Sequence, residues 1–158
     1  MSVAVNIWRN PIHFLAFGFG SGLSPLAPGT CGTAVAVVLY TFLPPMHWSV
    51  YLLMIALTFV AGIWLCGKTS KDLGVHDHGG IVWDEFVGYW VTMFMAPSGW
   101  EWVLGGFIVF RLLDILKPWP IKWFDSRYTG GWGIMVDDAV AGIIGALGLH
   151  AVALLLAS

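Results

Sequence analysis

The chain has 158 residues, 58% hydrophobic and only 10% charged, with a mean hydropathy of +0.81. Soluble domains carry about 25% charged residues, so this composition excludes an ordinary water-soluble domain and points to a membrane. The length suits one domain, residues 1–158, and a net charge of −2 excludes the basic footprint of a nucleic-acid binder.

The opening stretch, MSVAVNIWRNPIHFLAF, lacks a leading positive cluster and a small-residue cleavage site, and reads as mature protein rather than signal peptide. No Lys, Arg, Asp or Glu occurs between Arg9 and Lys68. Within that interval Ile12–Phe19 and Thr30–Leu43 are short for a crossing and read as a re-entrant or interfacial N-terminal segment. They flank FGSGLSPLAPGTCGT, whose Ser21, Ser24 and Thr30 bring hydroxyls to a predicted helix start. Free N–H groups at such a start favour anions, although the Lys of a phosphate-cradling P-loop is absent.

Trp48 to Gly67 is 20 residues without a charge, about the length that crosses ~30 Å of hydrocarbon. Ala139–Ala157 is a second such segment. Ile81–Ala96 and Trp102–Leu116 are shorter, carry charges, and pair across a turn at Pro97-Ser98-Gly99. The expectation is an all-α integral membrane helical bundle with four or five transmembrane helices. Cys31 and Cys66 match neither a disulfide framework nor a zinc spacing and read as small buried hydrophobes.

In that threading the tips at Pro44–His47 and Pro97–Trp100 share one side and carry no Lys or Arg. The loops 68–80 and 117–133 share the other, with Lys68, Lys71, Lys117, Lys122 and Arg127. Positive residues mark the cytoplasmic side, which places every polar motif there, at headgroup depth.

Two motifs carry acid pairs. Gly79-Gly80-Ile81-Val82-Trp83-Asp84-Glu85 precedes Gly88, and Gly130-Gly131-Trp132-Gly133-Ile134-Met135-Val136-Asp137-Asp138 precedes Gly142. Both read as helix openings. One acidic residue in a first turn is ordinarily a complement to the helix dipole, worth ~0.3–1 kcal/mol. Two adjacent pairs in apolar surroundings repel each other and need a partner. A hard divalent cation is economical: Mg²⁺ takes oxygen ligands from one or two carboxylates and shares substrate phosphate. Asp84, Glu85, Asp137 and Asp138 are therefore the candidate ligands. Asp77 and His78, in His76-Asp77-His78 just upstream, are candidates for proton handling.

Arg111, Asp114 and Lys117 are spaced by three on one helix stripe that Pro118 ends. Arg111 and Lys117 suit a phosphate, with Asp114 orienting Arg111 or joining the metal shell. Lys68 and Asp72 form an i,i+4 pair that either contacts phosphate or is a surface pair. The chain has no Cys-x5-Arg loop, no Asp-x-Asp-x-Thr motif and no histidine lipid-phosphatase signature. A covalent phosphoenzyme thus lacks an obvious nucleophile, and metal-assisted attack by water fits what is present. A cation transporter or channel using the acid pairs as ion sites is the alternative. It requires carboxylates near mid-membrane.

Four stretches in order, GSGLSPLAPGTCGT, DLGVHDHGGIVWDEFVGYW, FRLLDILKPWPI and GGWGIMVDDAVAG, resemble the phosphatidylglycerophosphatase A family. They run from Gly20 to Gly142. The resemblance implies a multi-pass enzyme of the bacterial inner membrane, with its active site facing the cytoplasm. It would hydrolyse phosphatidylglycerophosphate to phosphatidylglycerol with Mg²⁺. On that basis Glu85 and Asp138, helped by Asp84 and Asp137, are expected to hold the metal. Asp77 or His78 would handle protons, and Arg111, Lys68 and Lys117 would neutralise phosphate.

Overall fold

The structure is a computed structural model and describes residues 6–158; residues 1–5, part of the stretch read as mature N-terminus, lie outside the description. Seven α-helices occur among the described residues, and no strands. They are α1 (Pro11–Ala16), α2 (Pro28–Thr41), α3 (Trp48–Leu73), α4 (Trp83–Thr92), α5 (Trp100–Leu116), α6 (Ile121–Arg127) and α7 (Gly130–Ala157). A 3₁₀ segment, Gly18–Leu23, joins α1 to α2 and kinks at Phe19 and Gly20, both at positive φ.

Two helices among the described residues are long and apolar enough to cross a membrane. The 26 residues of α3 and the 28 of α7 rise about 39 and 42 Å at 1.5 Å per residue. The ring of His47 caps α3, accepting the Ser49 N–H at 3.3 Å, and Gly74 closes it in the left-handed conformation at φ 68°. Leu53, Leu57 and Val60 of α3 and Leu147 and Leu154 of α7 stand exposed, and apolar side chains left outside in this way suit contact with lipid or protein. Both helices suggest membrane association.

The other expected crossings take a different form. The 17 residues of α5 stop at Lys117, a non-glycine residue at φ 42° followed by Pro118. The predicted span Ile81–Ala96 is a helix of only 10 residues, about 15 Å long. Every α4 residue except Val91 is buried, because α2, α3, α5 and α7 all pack against it. Its apolarity reflects burial in protein, a case that hydropathy alone does not separate from burial in lipid.

Glycines set how closely α4 and α7 approach. A Cβ on Gly142 would lie 2.5 Å from the Gly88 carbonyl oxygen, and one on Gly88 would lie 2.9 Å from that of Asp138. Small residues of this kind let helix backbones meet where water supplies no driving force.

The polar end is tied together by groups distant in sequence. The Val82 N–H donates to the Ala16 carbonyl at 2.9 Å, so α1 holds the residue that opens α4. His13 on α1 is buried, with Nδ1 2.9 Å from Thr69 Oγ1 and Nε2 3.3 Å from Asp72 Oδ2. His13→Ala leaves the buried Thr69 hydroxyl without this partner, and the chain is expected to lose about 1–3 kcal/mol of stability. Thermal unfolding in detergent, with wild type alongside, measures that loss.

Candidate active site

Asp84 and Glu85 occupy the first turn of α4, capped by the backbone of Val82 without a side-chain bond. Asp137 and Asp138 sit deeper in their helix than expected. The helix α7 starts at Gly130, so its acid pair lies about two turns in, and the two pairs do not open their helices alike. The extra turns form because Gly131 packs on α3, where a Cβ would lie 1.9 Å from the Ile63 carbonyl oxygen. That contact makes the Gly130-Gly131 pair part of a helix instead of a loop.

Packing of α4 on α7 then brings three carboxylates together. One oxygen from each of Asp84, Glu85 and Asp138 lies within 4.8 Å of the others. These residues are 8%, 9% and 3% exposed. Asp84 Oδ1, Glu85 Oε2 and Asp138 Oδ2 are buried and have no hydrogen-bond partner. Buried carboxylate oxygens without partners are costly, and a divalent cation satisfies them together. All donors are hard oxygens, the chemistry Mg²⁺ prefers over thiolate- or imidazole-seeking metals. The residues present fit such an ion.

A cationic group adjoins this one. Arg111 Nη1 pairs with Asp114 Oδ2 and lies 3.7 Å from Glu85 Oε1. Lys117 Nζ bonds Asp125 of α6 at 2.6 Å and Asp137 of α7 at 2.7 Å. Burial works against the Lys117 charge, but those two bonds outweigh it and hold its pKa above the ordinary lysine value. Asp137 is thereby matched to a lysine, leaving Asp84, Glu85 and Asp138 as the carboxylates that cluster.

The start of α2 reaches the same place. Gly29 is so near that a Cβ there would lie 2.3 Å from Glu85 Oε1 and 3.1 Å from both terminal nitrogens of Arg111. Ala27, the N-cap, stands at φ 48° and offers no side-chain acceptor.

A family model described as Phosphatidylglycerophosphatase A matches residues 14–153. The chain belongs to the phosphatidylglycerophosphatase A family. Among its relatives, "Phosphatidylglycerophosphatase A" of Escherichia coli (strain K12) is 55% identical over 141 residues, 87% of this chain and 80% of the relative. That of Haemophilus influenzae (strain ATCC 51907 / DSM 11121 / KW20 / Rd) is 48% identical over 145 residues, 90% of this chain and 89% of the relative. No solved structure matches the chain. As a member of the family the protein is a phosphatase, and Gly29, the acid cluster, Arg111 and Lys117 all fall within the matched residues.

The remaining sequence candidates are dispersed. Asp77 and His78 are exposed on the loop before α4; Asp77 stands at φ 50°, and His78 Nδ1 accepts the Gly80 N–H at 3.0 Å. Ser21 Oγ donates to the Gly18 carbonyl at 2.8 Å and Ser24 Oγ to that of Leu26 at 2.7 Å, so both hydroxyls serve the loop. Thr30, half-buried, follows Gly29 in the first turn of α2. Lys68 pairs with Asp72, which also meets His13. Sequence reading missed four participants. His13 and Thr69 are 56 positions apart with no shared motif. Asp125 looks like one more surface acid, and Gly29 only like a turn residue.

Proposed function

We propose that this phosphatase hydrolyses the terminal phosphomonoester of phosphatidylglycerophosphate, giving phosphatidylglycerol and inorganic phosphate. The observation that carries the reading is the group of three buried carboxylates on α4 and α7 with the Arg111 guanidinium beside it. A carboxylate group suited to a metal, next to a fixed cation suited to a phosphate, supports metal-assisted hydrolysis of a phosphomonoester. The polar end of the bundle also carries Lys68, Lys71, Lys117, Lys122 and Arg127, which supports a cytoplasmic orientation in a bacterial inner membrane crossed more than once.

In this reading Asp84, Glu85 and Asp138 hold Mg²⁺, with Asp137 behind them on Lys117. Bound there, the ion supplies a Lewis acid for a phosphoryl oxygen and lowers the pKa of a water. Arg111, oriented by Asp114, neutralises phosphate charge with a planar donor fork. Lys117 and Lys68 add positive charge at the same end, and the Thr30 hydroxyl contributes a further polar contact. Water adds to phosphorus, the bond to the glycerol oxygen breaks, and Asp77 or His78 gives that oxygen its proton. Apolar helix faces keep the acyl chains in the bilayer.

Purified protein is expected to release inorganic phosphate from the lipid phosphomonoester with Mg²⁺ and to stop when EDTA is added. Release that persists undiminished in EDTA would refute the metal assignment, and none under any divalent ion would refute the substrate. The cation-transporter reading is not favoured. It needs carboxylates along a path through the membrane, whereas these lie at the polar end of the bundle against Arg111.

A further inference from the structure

The carboxylate cluster and Arg111 leave one nearby element unexplained, the start of α2. In an α-helix the first amides precede the first intrahelical bond and look for another acceptor. In α2 the first such bond runs from the Cys31 N–H to the Ala27 carbonyl at 3.1 Å. Pro28 has no N–H, so the donors left at this end are the amides of Gly29 and Thr30. No side chain caps them. The helix is 14 residues long, so its dipole adds positive potential at the same spot.

What faces that start is decisive. Glu85, 9% exposed and with Oε2 unpartnered, places its other oxygen 2.3 Å from where a Gly29 Cβ would stand. Both terminal nitrogens of Arg111 lie 3.1 Å from the same point. A buried carboxylate oxygen and both guanidinium nitrogens thus crowd the first turn of α2, which admits them because Gly29 has no side chain. A phosphoryl dianion would suit the N–H donors there, and a cation held by the carboxylates would balance its charge.

We infer that the amides of Gly29 and Thr30 and the Arg111 guanidinium form the seat for the phosphoryl group, whether carried on a lipid or free as inorganic phosphate. Gly29 is required there because a side chain would fill the seat. This rests on the phosphatase reading above and goes further by assigning the donors. The serine hydroxyls of the preceding loop take no part, since both are bonded within it.

Gly29→Ala is the test. The atoms its Cβ would displace are the tips of two flexible side chains rather than backbone, so the fold should tolerate it. The variant is expected to raise KM for the lipid phosphomonoester and weaken competitive inhibition by inorganic phosphate, each about tenfold, the worth of a hydrogen bond to a charged group. Mn²⁺ affinity, read by electron paramagnetic resonance, should change far less, because Asp84, Asp138 and the free oxygen of Glu85 remain. Cys31→Ala, on the same turn, should leave all three quantities at wild-type values.

If inhibition by inorganic phosphate weakens and KM does not, the seat serves the free ion and its assignment to the lipid headgroup fails. Unchanged KM and inhibition would overturn the seat, as would a loss of Mn²⁺ affinity equal to the loss of phosphate sensitivity. That second result would leave Gly29 clearing room for Glu85 only. A measurement on wild type does not depend on the variant folding. With ¹⁵N-glycine labelling, the Gly29 amide should shift saturably as phosphate is added with Mg²⁺, while Gly148 stays still; no shift at Gly29 overturns the inference. If wild type neither turns over lipid nor binds Mn²⁺, the phosphatase reading fails separately.

Discussion

Glu85→Gln and Asp138→Asn are each expected to lower kcat for phosphate release by about 10³-fold or more, while the metal-free protein keeps or gains stability. Both replacements keep shape and volume, so packing between α4 and α7 is preserved. Each removes one negative charge from a cluster in which three carboxylate oxygens lie within 4.8 Å. Without a cation these charges repel in a poorly solvated place, and neutralising one relieves that cost. With a cation the balance reverses. Wild type should gain thermal stability as Mg²⁺ is added, because a ligand that binds only the folded state stabilises it by mass action. The variants should lose most of that gain along with turnover. Paired measurements of kcat and Tm across a Mg²⁺ titration read both quantities. Wild-type turnover with wild-type Mg²⁺ dependence in either variant would remove that residue from the metal site.

Asp138→Asn is the cleaner of the two. Glu85 also meets Arg111 at 3.7 Å, so Glu85→Gln changes the cation's surroundings as well as the carboxylate group. Asp138 is 3% exposed and lies one position after Asp137, which carries the lysine contact. A large effect at Asp138 with a small one at Asp137 would mirror that division.

The grouping of the acidic residues was more legible in the sequence than the architecture. Acidic residues in an apolar stretch are conspicuous because burying them is costly, and Asp84, Glu85 and Asp138 do meet in space. The i,i+3 spacing of Arg111 and Asp114 and the i,i+4 spacing of Lys68 and Asp72 follow directly from helix geometry, and both pairs form. Segment 81–96 was harder. A fully enclosed helix and a lipid-facing one share a composition, and only packing against four neighbours identifies α4 as the former. The start of α7 was misplaced because a glycine pair signals a break when nothing crowds it; the requirement for Gly131 comes from the Ile63 carbonyl of another helix. The His13, Thr69 and Asp72 contacts join residues from two helices with no local pattern linking them. Each miss concerns a contact between distant segments, which periodicity does not encode.

Gly142→Ala should separate α4 from α7 and lose both stability and activity, although it adds one methyl group and raises helix propensity. The Cβ would lie 2.5 Å from the Gly88 carbonyl oxygen and 2.8 Å from Val91 Cβ. The nearest of these atoms is backbone, so a rotamer change does not relieve the clash and the helices must part. Overpacking of this sort costs about 1–3 kcal/mol. The functional loss should be disproportionate. Gly142 lies four residues, about one turn, beyond Asp138, and Gly88 three beyond Glu85, so the glycine contact sets the separation of the carboxylates. A displacement of ~1 Å at a catalytic group can cost ~10²-fold in rate. Gly148→Ala is the matched control: it lies on the same helix, with nothing within 4 Å of the added Cβ, and should keep wild-type kcat. Tm, Mn²⁺ affinity and kcat measured on both variants separate packing from positioning. If Gly142→Ala lowers Tm but keeps wild-type metal affinity and turnover, the close approach serves the fold alone and the carboxylates owe their spacing to something else.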